Sequence, residues 1–275
     1  MQNDDELVGR VLTRREIVRL LGAGGAAALA FGAGPVPSGS LFAQRFPGCV
    51  VKPEQTEGPY FVDQQLVRSD IRMEPSTGAM KAGVPLVLAL TVLDVSNGQC
   101  GPLAGATVDV WQCDAQGVYS GVSDPGFNSV GLKFLRGVQT TDNSGRVQFT
   151  TIHPGWYSGR AVHIHFKIRT QAGGAAWEFT SQWYFDEALN DRILSDVRYA
   201  RPGTRDTRNA NDMFYRDGGD QLLLAPTPRA DGYAATWSLG VDLTDAAVGR
   251  ADGSGAGRGR GGPGGRGRGG PGRGA

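Results

Sequence analysis

Between residues 162 and 168 apolar and polar side chains alternate without a break. Val162, Ile164, Phe166 and Ile168 are separated by His163, His165 and Lys167. A period of two belongs to a β-strand, whose successive side chains point to opposite faces. The same period recurs along the chain. Leu86, Leu88, Leu90 and Val92 share one face of an earlier strand, and Ala106, Val108 and Val110 share one face of the next. Ala235, Trp237, Leu239, Val241 and Leu243 do so near the end. Gly137–Thr141 and Arg146–Ile152 flank Asp142-Asn143-Ser144-Gly145, which reads as a hairpin turn. Trp177–Phe185 continues the pattern, and only Asp186–Val197 has helical character. Many short strands with regular turns predict an all-β, two-sheet sandwich with long loops and one short helical segment. The absence of alternating long helices argues against a doubly wound sheet. Arg205–Arg216 has no period and reads as a long loop.

The predicted domain spans 44–248 of the 275 residues, and the ends differ from it in character. Residues 1–43 contain Thr13-Arg14-Arg15-Glu16-Ile17-Val18, a twin-arginine pattern, followed by an Ala- and Gly-rich apolar run from Leu20 to Gly34. Leu41-Phe42-Ala43 offers a cleavage site. The apolar run is too short and weak for a membrane span, so it predicts twin-arginine export to a periplasmic or secreted location. Residues 249–275 hold six Arg, one Asp and 14 Gly, with no aromatic residue. Such a segment buries too little apolar surface to fold. It reads as a disordered, solvated tail; as a nucleic-acid arm it lacks stacking aromatics. With neutral charge over 1–43 and +5 over 249–275, the total of +1 leaves −4 for the domain. That charge gives no reason to expect a nucleic-acid partner.

The chemistry concentrates around the His-x-His strand. His163 and His165 share a face, and Tyr157 and Arg160 stand just before them in Pro154-Gly155-Trp156-Tyr157-Ser158-Gly159-Arg160. Two imidazoles side by side on a rigid strand form a metal-binding pair, or else two polar residues on a partly exposed face. The chain has three His and three Cys, too few Cys for a four-Cys zinc site or a disulfide-dense scaffold. Asp, Glu and Tyr remain as partners for the imidazoles. Tyr157 follows a Pro-Gly turn, and Tyr119 follows the apolar strand ending at Trp111. A phenolate with imidazole suits trivalent iron better than zinc or copper. His153 precedes the Pro-Gly turn and fits a structural or exposed role. Export would allow Cys49 and Cys100 to pair, leaving Cys113 a buried free thiol; position alone does not decide the pairing.

Thr56-Glu57-Gly58-Pro59-Tyr60, Val110-Trp111-Gln112 through Tyr119, Phe134-Leu135-Arg136-Gly137, Pro154-Gly155-Trp156-Tyr157 and Arg160 through Phe166 together resemble the intradiol ring-cleavage dioxygenases. That family includes catechol 1,2-dioxygenases and protocatechuate 3,4-dioxygenases. The resemblance covers roughly residues 49–245 and is nearest to the shorter, exported single-domain type. It implies a non-haem ferric ion held by Tyr119, Tyr157, His163 and His165. Tyr119 corresponds to the ligand that leaves the metal when substrate binds. Arg160 corresponds to a catalytic cation near the charge that develops on the ring. Gln182 and the Gly58, Pro59 and Tyr60 segment correspond to substrate-binding positions. Trp156 stands where several relatives carry another Pro. The implied partners are a small aromatic diol and O2, and the implied product is a muconate-type diacid. A second class also accommodates these residues: a non-catalytic exported β-sandwich that binds iron or polyphenols.

Overall fold

The computed structural model describes residues 49–245. The predicted export signal at 1–43 and the Gly/Arg tail at 249–275 lie outside the described residues. Two sheets carry the predicted alternation. In the first, β1 (Pro85–Asp94) is the central strand. It pairs with β2 (Gly101–Pro102) and β7 (Arg146–Ile152) antiparallel, and with β12 (Gly232–Val241) in parallel. A short β11 (Thr227–Arg229) extends the sheet beyond β12. In the second, the order is β10 (Leu223–Leu224), β9 (Ala175–Phe185), β8 (His163–Ala172), β3 (Thr107–Trp111) and β6 (Arg136–Thr140). A separate ribbon joins β4 (Ser123–Asp124) to β5 (Phe127–Asn128).

The inner faces meet in one core. Leu86, Leu88, Leu90 and Val92 of β1 are buried with Val147 and Phe149 of β7 and Leu239 and Val241 of β12. Against them lie Val108 and Val110 of β3, Ile164, Phe166 and Ile168 of β8, and Phe179 and Trp183 of β9. Phe166 stacks on Trp183 at 4.1 Å, and Trp237 meets both edge-on at 5.5 and 5.6 Å. Each fully buried aliphatic or aromatic side chain contributes about 1.5–3 kcal/mol, so this interior pins the register of the strands. That register in turn sends His163 and His165 to the outer face.

The turn at Asp142–Gly145 forms as predicted, but its hairpin does not. Gly145 N–H donates to Asp142 O at 2.8 Å, and Asp142 Oδ1 accepts from the N–H groups of Ser144 and Arg146. The flanking strands then diverge: β6 pairs with β3 in one sheet and β7 with β1 in the other. The turn is a corner between sheets. Its chemistry is local, while strand pairing is decided by which edges lie open. The predicted helical segment is α1 (Glu187–Leu194), capped by Asp186, whose Oδ1 accepts from Ala188 N and Leu189 N. Among the described residues no helix is long and apolar enough to cross a membrane.

Cys49 and Cys100 are joined in a disulfide, while Cys113 is free and buried. The bridge ties the start of the described chain to the loop after β1. Its sequence separation of 51 corresponds to a stabilisation of about 4 kcal/mol in the chain-entropy account. Unfolded, unreduced protein is expected to show one reactive thiol and reduced protein three. A Cys49→Ala/Cys100→Ala variant is expected to unfold at markedly lower urea. Three thiols without reductant would contradict the bridge.

Candidate metal centre

The outer face of the second sheet is polar by sequence yet buried in the fold. His163, His165 and Lys167 are each 2–3% exposed. Loops cover them, and the loops bring the remaining site residues. Across the sheet, His163 lies opposite Tyr184, and His165 lies between Gln182 on one side and Trp111 on the other. The Trp111 indole stacks on the His165 ring at 4.9 Å and 8°, which fixes the imidazole plane.

Tyr119 and Tyr157 enter from two loops that are locked together. Gly155 N–H donates to Asp114 O at 3.1 Å, and a Cβ on Gly155 would lie 2.5 Å from Ala115 O. Gly117, at φ +77°, would bring a Cβ to 2.3 Å from Trp156 O. Only glycine allows that approach. Arg136 steadies the residue after Tyr119: its Nε donates to Ser120 O and Oγ, both at 3.0 Å, and its Nη2 to Ser120 O at 2.6 Å. Ser129 Oγ donates to Tyr119 O at 2.6 Å.

All four predicted metal ligands converge. The Nε2 of His163 lies 3.3 Å from Tyr119 Oη, 3.2 Å from Tyr157 Oη and 3.0 Å from His165 Nε2. His163 Nδ1 donates to Ala161 O at 2.6 Å, so the lone pair is left on Nε2. One lone pair cannot satisfy three neighbours, whereas a cation among the four would draw on all of them. Burial also sets the protonation states. It raises Tyr157 to about 12, although Arg160 works against the shift, and it raises Tyr119 as well, with Tyr157 adding to the effect. Burial lowers His163 to about 3, with help from Arg160, and lowers His165 as well. The imidazoles are thus neutral with lone pairs available, and the phenols ionise only if a strong positive charge is present. Among the described residues no group of three His, Cys, Asp or Glu gathers as a metal site; the two tyrosines are what complete the donor set. Two imidazoles with two phenols fit a hard trivalent ion.

Arg160 reaches the cluster from the side. Its Nε donates to Asp212 Oδ2 at 2.9 Å and its Nη2 to Gln182 Oε1 at 2.5 Å, over the Phe214 ring at 4.3 Å. Burial acts to lower its pKa, but Tyr157, Tyr184 and Asp212 outweigh it, so the guanidinium keeps its charge. Gln182 Nε2 donates to Thr56 O, and Tyr184 Oη donates to Gln55 Oε1 at 2.9 Å. Gly58, at φ +72°, lies against His165, and its Cβ would be 3.5 Å from Cε1. Tyr60 stacks on Tyr119 at 4.6 Å. Pro59, between them, is exposed. Trp156 lies under the Arg201 guanidinium at 4.4 Å. His153 stands apart: it is buried against Phe185, with Nδ1 on Pro154 O at 2.9 Å.

Sequence spacing does not single out Asp212. Its side chain is 0% exposed, and Oδ2 also accepts from Ala161 N at 2.7 Å while Oδ1 accepts from Phe214 N and Tyr215 N. It lies in the segment without periodicity, where sequence carries no orientation signal. Tyr184 and Trp111 were within reach of the same count by two that paired the histidines.

The dioxygenase family model, described as "Dioxygenase", matches residues 56–225. An intradiol ring-cleavage dioxygenase from Tetranychus urticae is 30% identical and superposes with a TM-score of 0.61, over 71% of this chain and 96% of that one. A chlorocatechol 1,2-dioxygenase from Pseudomonas putida is 28% identical over 148 residues, 47% of this chain and 52% of the relative. The chain therefore spans about half the length of the curated relatives it matches.

Asp212 yields a pH-dependent test. Burial acts to raise its pKa, but Arg160 and the N–H groups of Ala161 and Tyr215 prevail and hold the carboxyl below the usual range. A carboxyl depressed in the folded state adds stability above its unfolded pKa, near 4, and loses it as pH falls through the folded value. Asp212→Asn is expected to cost about 3 kcal/mol near neutral pH, as for breaking one buried ion pair. That difference should shrink as pH falls below about 4. Urea unfolding of both proteins at stepped pH checks it; a pH-independent difference would contradict the ion pair.

Proposed function

The chain belongs to the intradiol ring-cleavage dioxygenase family, and we propose that it is an exported, ferric-iron-dependent enzyme that cleaves catechol-type rings between the two hydroxyl-bearing carbons. The observation that carries this reading is the convergence of Tyr119, Tyr157 and His165 on one lone pair of His163. Those four residues would hold the iron. When bound, ferric iron supplies Lewis acidity and an electron acceptor for the catechol and dioxygen.

The protein's own groups divide the remaining work. A catechol must lose two protons to bind as a dianion. Burial raises both phenols, and Arg160 acts against the shift at each. By the resemblance to the family, Tyr119 would be the phenol that takes up a substrate proton, and Tyr157 would stay ionised. Arg160, held by Asp212 and Gln182, presents a fixed cation to the negative charge that builds on the ring, with no reorganisation at the moment of reaction. Gly58 leaves the space beside His165 free of a side chain, and Tyr60 offers an aromatic wall. Trp111, Phe61, Val122 and Phe127 surround the cluster with apolar groups that exclude water. The domain at 44–248 carries this activity. The twin-arginine leader at 1–43 would export it folded.

Iron-loaded protein given catechol is expected to consume one O2 per substrate and to yield a muconate-type diacid. Arg160→Ala should lower turnover by about 10²–10³, by analogy with loss of one oxyanion donor. Oxygen uptake with chromatography of the product checks both. Full turnover in the variant would remove the role assigned to Arg160, and binding of catechol without oxygen uptake would favour a non-catalytic binding protein.

A further inference from the structure

The aromatic wall of the site ends in a carboxylate. Tyr60 stacks on Tyr119 at 25° and meets Tyr157 edge-on at 6.3 Å. Its hydroxyl donates to Asp124 Oδ2 at 2.7 Å. Asp124 belongs to the β4–β5 ribbon, and its Oδ1 accepts from Gly126 N at 3.0 Å. One aromatic ring thus separates this carboxylate from a metal-ligand tyrosine. The Gly126 N–H, together with the Tyr60 hydroxyl, holds the carboxyl below its usual range, so it is ionised at neutral pH. On the other flank, Asp206 accepts from Ser158 Oγ at 2.5 Å and Gly159 N at 3.1 Å, beside Tyr157 and Arg160.

Most cations near the site are paired with carboxylates. Arg160 is paired with Asp212, and Arg136 is 3% exposed behind Tyr119 with its Nε and Nη2 on Ser120. Arg201 lies over the Trp156 ring and donates to the carbonyls of Gln116 and Trp156. Lys167 is paired with Glu57 and Glu178, and Arg169 with Asp63 and Asp109. Among the described residues, the wall that a ring substituent would meet is therefore aromatic and apolar, with an acidic rim. An anionic substituent would lose hydration there and face the Asp124 charge at the rim, while the Arg160 charge is shared with Asp212.

We propose that the site selects catechols whose ring substituent is uncharged or cationic and discriminates against those carrying a carboxylate, with Asp124 as the specificity-determining residue. The proposal rests on the ring-cleavage reading above and adds the charge class of its substrate.

Three catechols of similar size separate the cases: 4-ethylcatechol, 3,4-dihydroxyphenylacetate and 4-(2-aminoethyl)catechol. Their kcat/KM values are measured by oxygen uptake on the full iron-loaded protein, with plain catechol as reference. At low ionic strength the anion is expected to fall on the order of tenfold below the neutral compound, and the cation to equal or exceed it. Added salt should narrow the gap. Asp124→Asn keeps an oxygen acceptor for Tyr60 and should reduce the neutral-to-anion ratio about threefold or more, as expected for removing one exposed charge. Equal handling of anion and neutral compound by the unmodified protein would overturn the proposal, as would an unchanged ratio in Asp124→Asn. Failure to cleave even plain catechol is a different result: it rejects the ring-cleavage reading and this proposal with it.

Discussion

A single lone pair, on Nε2 of His163, faces two phenols and a second imidazole, and much of the surrounding structure acts to keep it there. The Ala161 carbonyl takes the other ring proton of His163. The β8 register sets His165 two residues along on the same face, and the Trp111 indole holds its plane. Burial then keeps the phenols protonated and the imidazoles neutral. The arrangement is favourable as a donor set for a cation. The electrostatics therefore support a highly charged ion, because only strong positive charge offsets the cost of two buried phenolates.

The site depends on close packing of irregular chain as much as on the sheet. The two tyrosines come from loops that approach closely enough to require Gly117 and Gly155, and Arg136 clamps the residue beside Tyr119. Arg160 is likewise positioned from a loop, by a carboxylate with four hydrogen bonds. The rigid strand supplies the imidazoles, while the loops supply the oxygen donors, the cation and the outer wall. Differences in substrate preference would then arise in the loops, where Tyr60, Asp124 and Asp206 sit.

The strands were legible in the sequence because their period is set by burial on one face. Counting by two from Val162 places the histidines opposite the core, and counting by two from Gln182 places Tyr184 beside them. Local chemistry predicted the Asp142–Gly145 turn but not its partners, since the choice between hairpin and corner depends on edges offered by β1 and β3, far off in sequence. Asp212 and Asp124 lie in segments whose orientation follows from packing alone, so no periodicity could reveal that one holds Arg160 and the other caps Tyr60. The resemblance through the tyrosine and histidine motifs named the family; it said nothing about these carboxylates.

The most direct test of the four-residue centre is titration of the purified protein with ferric iron, followed by visible absorption. The account predicts a broad charge-transfer band from tyrosinate to iron that grows until about one ion per chain is bound. Protons should be released as it grows, and the band should weaken in Tyr157→Phe. Iron that binds without visible colour, or with the same band in Tyr157→Phe, would contradict it.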